Sequence, residues 1–404
     1  MGDGLQRAGQ YTPDLGHAEA RAAAAPPSVT ADRTAGGQSG TGHRPHAADS
    51  RRPSAAKARG SGQRLYAALD LGTNNCRLLI ATPRDRGFRV VDSFSRIVRL
   101  GEGISGSGRL ADAAMDRAIQ ALKVCKAKLA ARDVRRFRLI ATEACRLASN
   151  GPAFLERVRA ETGLELEIVS RETEARLAVA GCASLVDPDA SGAILFDIGG
   201  GSSELVWLDL VQRDGEPRRR ISERVRSWQS LPIGVVTLSE RHGGLVVSRD
   251  TYEAMVLEVS ALLAKFPLIV KLDEAAAAGG VHLLGTSGTV TTLAGVHLGL
   301  DRYDRRQVDG LWMTSDEVDA TIRQLRDTDF AGRIANPCIG RERADLVLAG
   351  CAILEAVRRR WRCERLRVAD RGLREGILVE MMTADGVWRR RRPDAAERTV
   401  GADG

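Results

Sequence analysis

The sequence predicts an α/β protein of two similar halves with a cleft between them. Two stretches carry this expectation. Residues 193–205 read AILFDIGGGSSEL: an apolar run, Asp197, then Gly199, Gly200 and Gly201, then Ser202, Ser203 and Glu204, with a second apolar run following. Residues 66–81 read YAALDLGTNNCRLLIA, with the same order: apolar run, Asp70, then Gly72, Thr73, Asn74 and Asn75, then apolar run. Each predicts strand, tight turn, strand. A hairpin that recurs argues for a duplicated unit and a symmetric site between the copies.

Such turns suit an anion. Glycines admit positive φ and let a bulky group approach the backbone, and successive N–H groups converge into an anion-binding concavity. Gly72–Asn75 and Gly199–Ser203 are the expected phosphate contacts. Asp70 and Asp197 at the strand ends and Glu204 beyond the second turn are hard oxygen donors suited to Mg²⁺.

The order of elements after each hairpin also repeats. A third strand over 88–100 precedes an amphipathic helix over 112–132, on which Met115, Ile119, Leu122, Cys125 and Leu129 recur at helical spacing. A strand over 137–141, a helix opened by Gly151-Pro152, a strand over 164–169 and a helix from Ser170 follow. In the second half a third strand over 221–231, a helix near 252–265, a strand over 281–284, helices near 314–326 and 343–360, a strand over 365–368 and a last helix are expected. Each half therefore reads β-β-β-α-β-α-β, the order of two actin-like (ribonuclease H-like) domains with a phosphate-binding cleft between them. Their expected spans are 63–185 and 186–386, with the last helix able to pack back on the first. A doubly wound dinucleotide fold would lack the opening hairpins. Gly101–Gly106 matches GxGxxG but follows a third hairpin strand, so a flexible surface loop is expected there. No GxxxxGK[ST] occurs.

Composition bounds the rest. Residues 1–62 have almost no large apolar side chains and no periodicity, so a disordered tail is expected, with a second, basic one over 387–404. The net charge is +8, yet no basic motif points to a specific nucleic acid. No apolar run approaches a membrane span and no signal-peptide core is present. Seven cysteines are scattered without a CxxC pair, which predicts reduced, buried thiols and a cytoplasmic protein.

In order along the chain, DLGTNNCRLLIA, ATEACRLASN, SRETEARLA, FDIGGGSSELV, LPIGVVTLSE, LLGTSGTVTTLA, YDRRQVDGLWMT and VADRGLREGIL resemble the exopolyphosphatase and guanosine pentaphosphate phosphatase family. The resemblance implies Mg²⁺-dependent hydrolysis of a terminal phosphoanhydride in inorganic polyphosphate or guanosine pentaphosphate. It places Glu174 on the family's catalytic glutamate, which orients or deprotonates water, and Asp197 and Glu204 on metal-associated acids. Arg146 and Asn150 fall on the arginine and asparagine of the preceding substrate-facing loop, so Arg146 is expected to be catalytic, able to pair with phosphate through both ends of its guanidinium, and Asn150 to bind phosphate. A further loop of the second half is matched by Gly285, Ser287, Gly288 and Thr289, which are expected to bind phosphate. Asp309 stands where the family often has histidine. The helical C-terminal module of long members is not expected. Partners implied are the polyanionic substrate, no membrane, and, as an open question, a second copy in a homodimer.

Two other functions fit this fold class: a kinase passing phosphoryl to a small molecule, and a non-catalytic nucleotide or alarmone sensor. The acid at Glu174 favours water as acceptor, and its presence argues against the sensor.

Overall fold

The computed structural model describes residues 64–212, 220–265, 274 and 280–388. The tail expected over 1–62 and the basic run from Arg389 lie outside these residues.

The first hairpin is β1 (Tyr66–Leu71) and β2 (Asn75–Pro83). With β3 (Phe88–Ile97), β4 (Arg136–Ala141) and β5 (Glu167–Ile168) it forms a sheet of order β3-β2-β1-β4-β5. The second hairpin is β6 (Gly192–Ile198) and β7 (Ser203–Asp209). With β8 (Val225–Leu231), β9 (Val281–Thr286), β10 (Trp312–Thr314) and β11 (Arg365–Ala369) it forms a sheet of order β10-β11-β9-β6-β7-β8. Apart from the edge strand β10, both sheets have one plan. Three antiparallel strands open it, and the first of them then pairs in parallel with a later strand. This is the actin-like topology, and the duplication extends to register: Asp70 lies opposite Arg77 across the first hairpin, and Asp197 opposite Glu204 across the second.

Helix Asp112–Ala131 buries Met115, Ile119, Leu122, Cys125 and Leu129 against the first sheet, as its spacing predicts. Helices Arg171–Cys182 and Leu373–Ala384 join the halves. Leu177 packs with Leu373, Ile377 and Leu378 on the Tyr66 and Ala68 face of the first sheet. Ala175, Ala178, Val179 and Cys182 pack on Ala193, Leu195 and Val206 of the second. The two helices cross at glycines because nothing larger fits. A Cβ on Gly376 would lie 1.9 Å from the Leu177 carbonyl oxygen, and one on Gly181 2.0 Å from that of Gly372.

Several expectations are corrected. The strand over 164–169 shrinks to β5, the short edge strand, since only Glu167 and Ile168 pair with β4. The strand over 221–231 begins at Val225, after a helical turn at Ile221–Glu223. The last helix of the second core begins at Val347, and helix Val235–His242 and strand β10 had no sequence signal strong enough to predict them. Strand β10 is held by Trp312, whose ring lies under the guanidinium groups of Arg365 and Arg367 at 4.6 and 4.7 Å. The C-terminal tail boundary also moves, because Val387 and Trp388 pack beside the first sheet and Trp388 Nε1 donates to the Arg84 carbonyl at 2.8 Å.

The Gly101–Gly106 segment lies at the surface as expected, with Glu102, Gly103, Ser105 and Gly106 exposed. It runs into a helical turn, Ile104–Ser107, and is tied to both halves. Gly101 N–H donates to the Thr73 carbonyl at 2.9 Å, and Gly103 N–H donates to Glu240 Oε1 at 2.8 Å. No helix among the described residues is long and apolar enough to cross a membrane.

Candidate active site

The two glycine-rich turns close in the same way, with Gly72 N–H on the Asn75 carbonyl at 2.9 Å and Gly199 N–H on the Ser202 carbonyl at 3.0 Å. The expected positive φ is not how their glycines are used; the left-handed glycines of the described chain lie elsewhere. Gly200 and Gly201 instead let the turns touch. A Cβ on Gly200 would stand 3.0 Å from Thr73 Cβ, and one on Gly201 2.8 Å from Thr73 Oγ1. Each turn is also held from behind. Val235 and Val236 N–H groups, opening their helix, donate to the Gly199 and Gly200 carbonyls at 2.9 and 2.8 Å. Val98 and Arg99 N–H groups donate to the Asn74 carbonyl at 2.8 and 3.0 Å.

Above this contact opens a cavity of about 880 Å³, lined by both turns together with Asp70, Glu143, Glu174, Asp197, Glu204 and the start of helix Ser287–His297. Strand geometry delivers Asp70 and Asp197 to equivalent places one residue before the ends of β1 and β6, and Glu204 from β7. Glu174 sits in the first turn of its helix, whose Ser170 cap accepts from Thr173 N–H.

Burial is the main influence on Asp70, Glu174, Asp197 and Glu204. Burial, opposed by Arg77 and Arg374 and assisted by Asp197, pushes the Asp70 carboxyl up to about 6. Burial and the charge of Asp197 push Glu204 up to about 7, although Ser202 and Ser230 hydroxyls donate to its Oε1 at 2.7 and 2.8 Å. Burial raises Asp197 too, against the Ser287 hydroxyl that donates to its Oδ1. Glu174 is raised well above the carboxylate range by burial and then by Glu204, while Arg146, at 3.0 Å, pulls it down.

A divalent cation fits this donor set. Asp70 Oδ1 is buried without a hydrogen-bond partner, and the nearby donors are hard oxygens. Among the described residues no three such side chains enclose an ion by themselves. Mg²⁺ usually keeps waters and binds through one or two carboxylates plus phosphate oxygens, so these side chains would supply only part of its shell.

Not every expected residue faces the cavity. Arg146 donates to Glu143, the Val169 carbonyl and Glu174, so its guanidinium is spent on holding acids in place. Asn150 is committed to Leu110, accepting from its N–H at 2.8 Å and donating to its carbonyl at 3.0 Å. The Ser203 hydroxyl donates to the Ile233 carbonyl at 2.8 Å. Gly285 is a packing glycine in β9, where a Cβ would meet the Phe196 ring at 2.6 Å. Asp309 is paired with Arg371 and accepts from Asp370 N–H at 3.0 Å. Ser287, Gly288 and Thr289 do line the cavity. Ser287 holds φ 75, left-handed backbone that a non-glycine residue rarely adopts, at the start of a helix whose N–H groups favour an anion.

The cations of the cavity, and the acids Glu143, Glu342, Asp370 and Glu375 that also line it, are not among the residues the motifs indicate. Arg77, Arg305, Arg341, Arg343 and Arg374 line the cavity, and burial lowers the Arg374 guanidinium. Arg77 was within reach: superposing the two hairpins puts it in the place that Glu204 holds in the other half. Glu143, buried between Arg146 and Arg171, had no signal beyond its presence in ATEACR.

Residues 79–385 match the Ppx/GppA phosphatase family. The Aquifex aeolicus member of the Ppx/GppA family is 28% identical over 80% of this chain and 98% of its own, with a TM-score of 0.64. An exopolyphosphatase-like protein is 28% identical over 79% of this chain and 99% of its own, with a TM-score of 0.68. An exopolyphosphatase from Cytophaga hutchinsonii, 24% identical over 80% of this chain and 98% of its own, shares the fold with a TM-score of 0.68.

Proposed function

The chain belongs to the Ppx/GppA phosphatase family, and from that premise we propose that it hydrolyses the terminal phosphoanhydride of inorganic polyphosphate, with guanosine pentaphosphate as the competing substrate. The observation that carries this reading is the placement of Glu174: a carboxyl in the wall of the anion cavity, held by Arg146 and raised toward the pH at which it can take a proton.

Phosphoryl transfer needs positioning and charge stabilisation more than covalent chemistry. Backbone N–H groups of the two turns and of the Ser287 helix start bind the terminal phosphate. Glu174 accepts the proton of the water that attacks phosphorus, and Arg146 orients the carboxylate. One or two of Asp70, Asp197 and Glu204, together with substrate phosphate oxygens, would hold Mg²⁺, which when bound would neutralise charge on those oxygens.

Polyphosphate is favoured over the nucleotide by the lining. Arginines recur along it, and Tyr303 is the one aromatic among the described lining residues, with its hydroxyl already donating to Asp370 at 2.8 Å. Several guanidinium groups in one cavity suit a substrate of repeated phosphates, whereas a base would seek a stacking face.

The test is phosphate release from long polyphosphate, short polyphosphate and guanosine pentaphosphate side by side, with and without an added alcohol acceptor. Fastest release from polyphosphate without acceptor supports the reading. Turnover that requires the acceptor would make the protein a kinase, and binding without turnover a sensor.

A further inference from the structure

The halves are fastened by a contact outside the chemistry just described. Arg99, in the segment between β3 and the Ile104 turn, reaches across to the second half. Its Nη1 donates to Asp345 Oδ2 at 2.9 Å and its Nη2 to Asp345 Oδ1 at 3.1 Å, with a third bond from Nη2 to the Glu342 carbonyl at 3.2 Å. This is a forked, two-point ion pair, the geometry in which arginine is not replaceable by lysine.

Both ends are anchored to the cavity. On the first side, the Arg99 N–H and its neighbour Val98 N–H hold the Asn74 carbonyl of the first turn. Arg117 Nε donates to the Val98 carbonyl at 2.9 Å and stiffens the segment. Arg99 itself sits at φ 47, left-handed backbone that costs a non-glycine residue energy unless its surroundings hold it. On the other side, Glu342 and Arg343, just before Asp345, and Leu346, just after it, line the cavity wall. The Asp345 carbonyl is fixed by the Ser239 hydroxyl at 2.9 Å.

We propose that Arg99 is a positioning residue: through Asp345 it latches the first anion turn to the opposite wall of the cleft, so that both sets of phosphate contacts bear on one substrate. Breaking the latch leaves each half folded but lets the turns separate. The effect on turnover rests on the hydrolase reading above; the effect on the junction does not.

The test is a double-mutant cycle of Arg99→Ala, Asp345→Ala and the pair, with Arg99→Lys beside them. Two readouts are taken: phosphate release from polyphosphate, and amide hydrogen exchange. The expected result is a fall in kcat/KM of about tenfold for either single variant and no further fall for the pair. Arg99→Lys should recover only part of it. Exchange should quicken at 72–76, 98–103 and 199–202, while the core helix Arg249–Leu263 keeps wild-type protection. Multiplicative losses in the pair, full rescue by lysine, or unchanged exchange at the turns would overturn the latch. If wild-type protein releases no phosphate from any substrate, the hydrolase reading fails, and the exchange cycle still decides the latch.

Discussion

A single methyl group placed between the two turns should separate them. In Gly201→Ala the new Cβ would stand 2.8 Å from Thr73 Oγ1, 3.3 Å from Thr73 Cγ2 and 3.4 Å from Glu143 Cγ. Relaxed contacts to carbon need about 3.5–4.0 Å, and Thr73 is buried, so Thr73 and Gly201 must part by at least about 0.7 Å on the oxygen side. Overpacking of this kind costs about 1–3 kcal/mol. The functional loss should be larger than the stability loss suggests, because displacing a positioned group by ~1 Å can cost ~10²-fold in rate. Calorimetry and steady-state phosphate release measure the two effects. Thr73→Ala removes Oγ1 and Cγ2, so adding it to Gly201→Ala should restore much of the lost Tm. A Gly201→Ala protein with wild-type Tm and kcat, or one whose Tm ignores Thr73→Ala, would refute the contact as the reason for glycine.

Other consequences follow from the same geometry. Gly376→Ala drives a methyl group to 1.9 Å from the Leu177 carbonyl oxygen and should destabilise by about 3 kcal/mol or abolish soluble expression; a denaturant midpoint within error of wild type would contradict the helix crossing. Asp197→Asn should weaken the Mg²⁺ dependence and turnover together, and an unchanged Mg²⁺ titration midpoint would remove Asp197 from the metal. Asp70 and Glu204 titrate near 6 and 7 in the folded state, above the usual carboxylate range, so the folded protein binds more protons than the unfolded chain between about pH 4 and 7 and loses stability as pH rises through that window. Bound Mg²⁺ offsets that loss, so its Tm increment should be greater at pH 8 than at pH 5; equal increments would count against these acids as ligands.

The fold was largely legible because its signal is repeated. Two hairpins of one grammar announced two sheets, and hydrophobic spacing located the helix at Asp112–Ala131. What escaped depends on tertiary contact. Strand β10 pairs with β11, more than fifty positions along the chain, and the arginines of β11 lie over Trp312. The Gly101–Gly106 segment is exposed as expected, and its ties to Thr73 and Glu240 leave no local pattern because those partners lie in other elements. At the site, the acids and turns could be read from their motifs, whereas Arg146 and Asn150 have side chains whose direction a motif does not specify. The turn glycines were expected for their φ angles and are used for close approach, a distinction only coordinates make.

The central claim is that Glu174 activates water in the cleft, and Glu174→Gln tests it most directly. Glutamine keeps the shape and one acceptor oxygen but takes no proton at neutral pH. The account predicts a fall in kcat of at least about 10²–10⁴-fold, with KM and equilibrium binding of polyphosphate nearly unchanged, since the lost interaction belongs to the transition state. A Glu174→Gln enzyme that turns over within a few-fold of wild type would contradict the assignment.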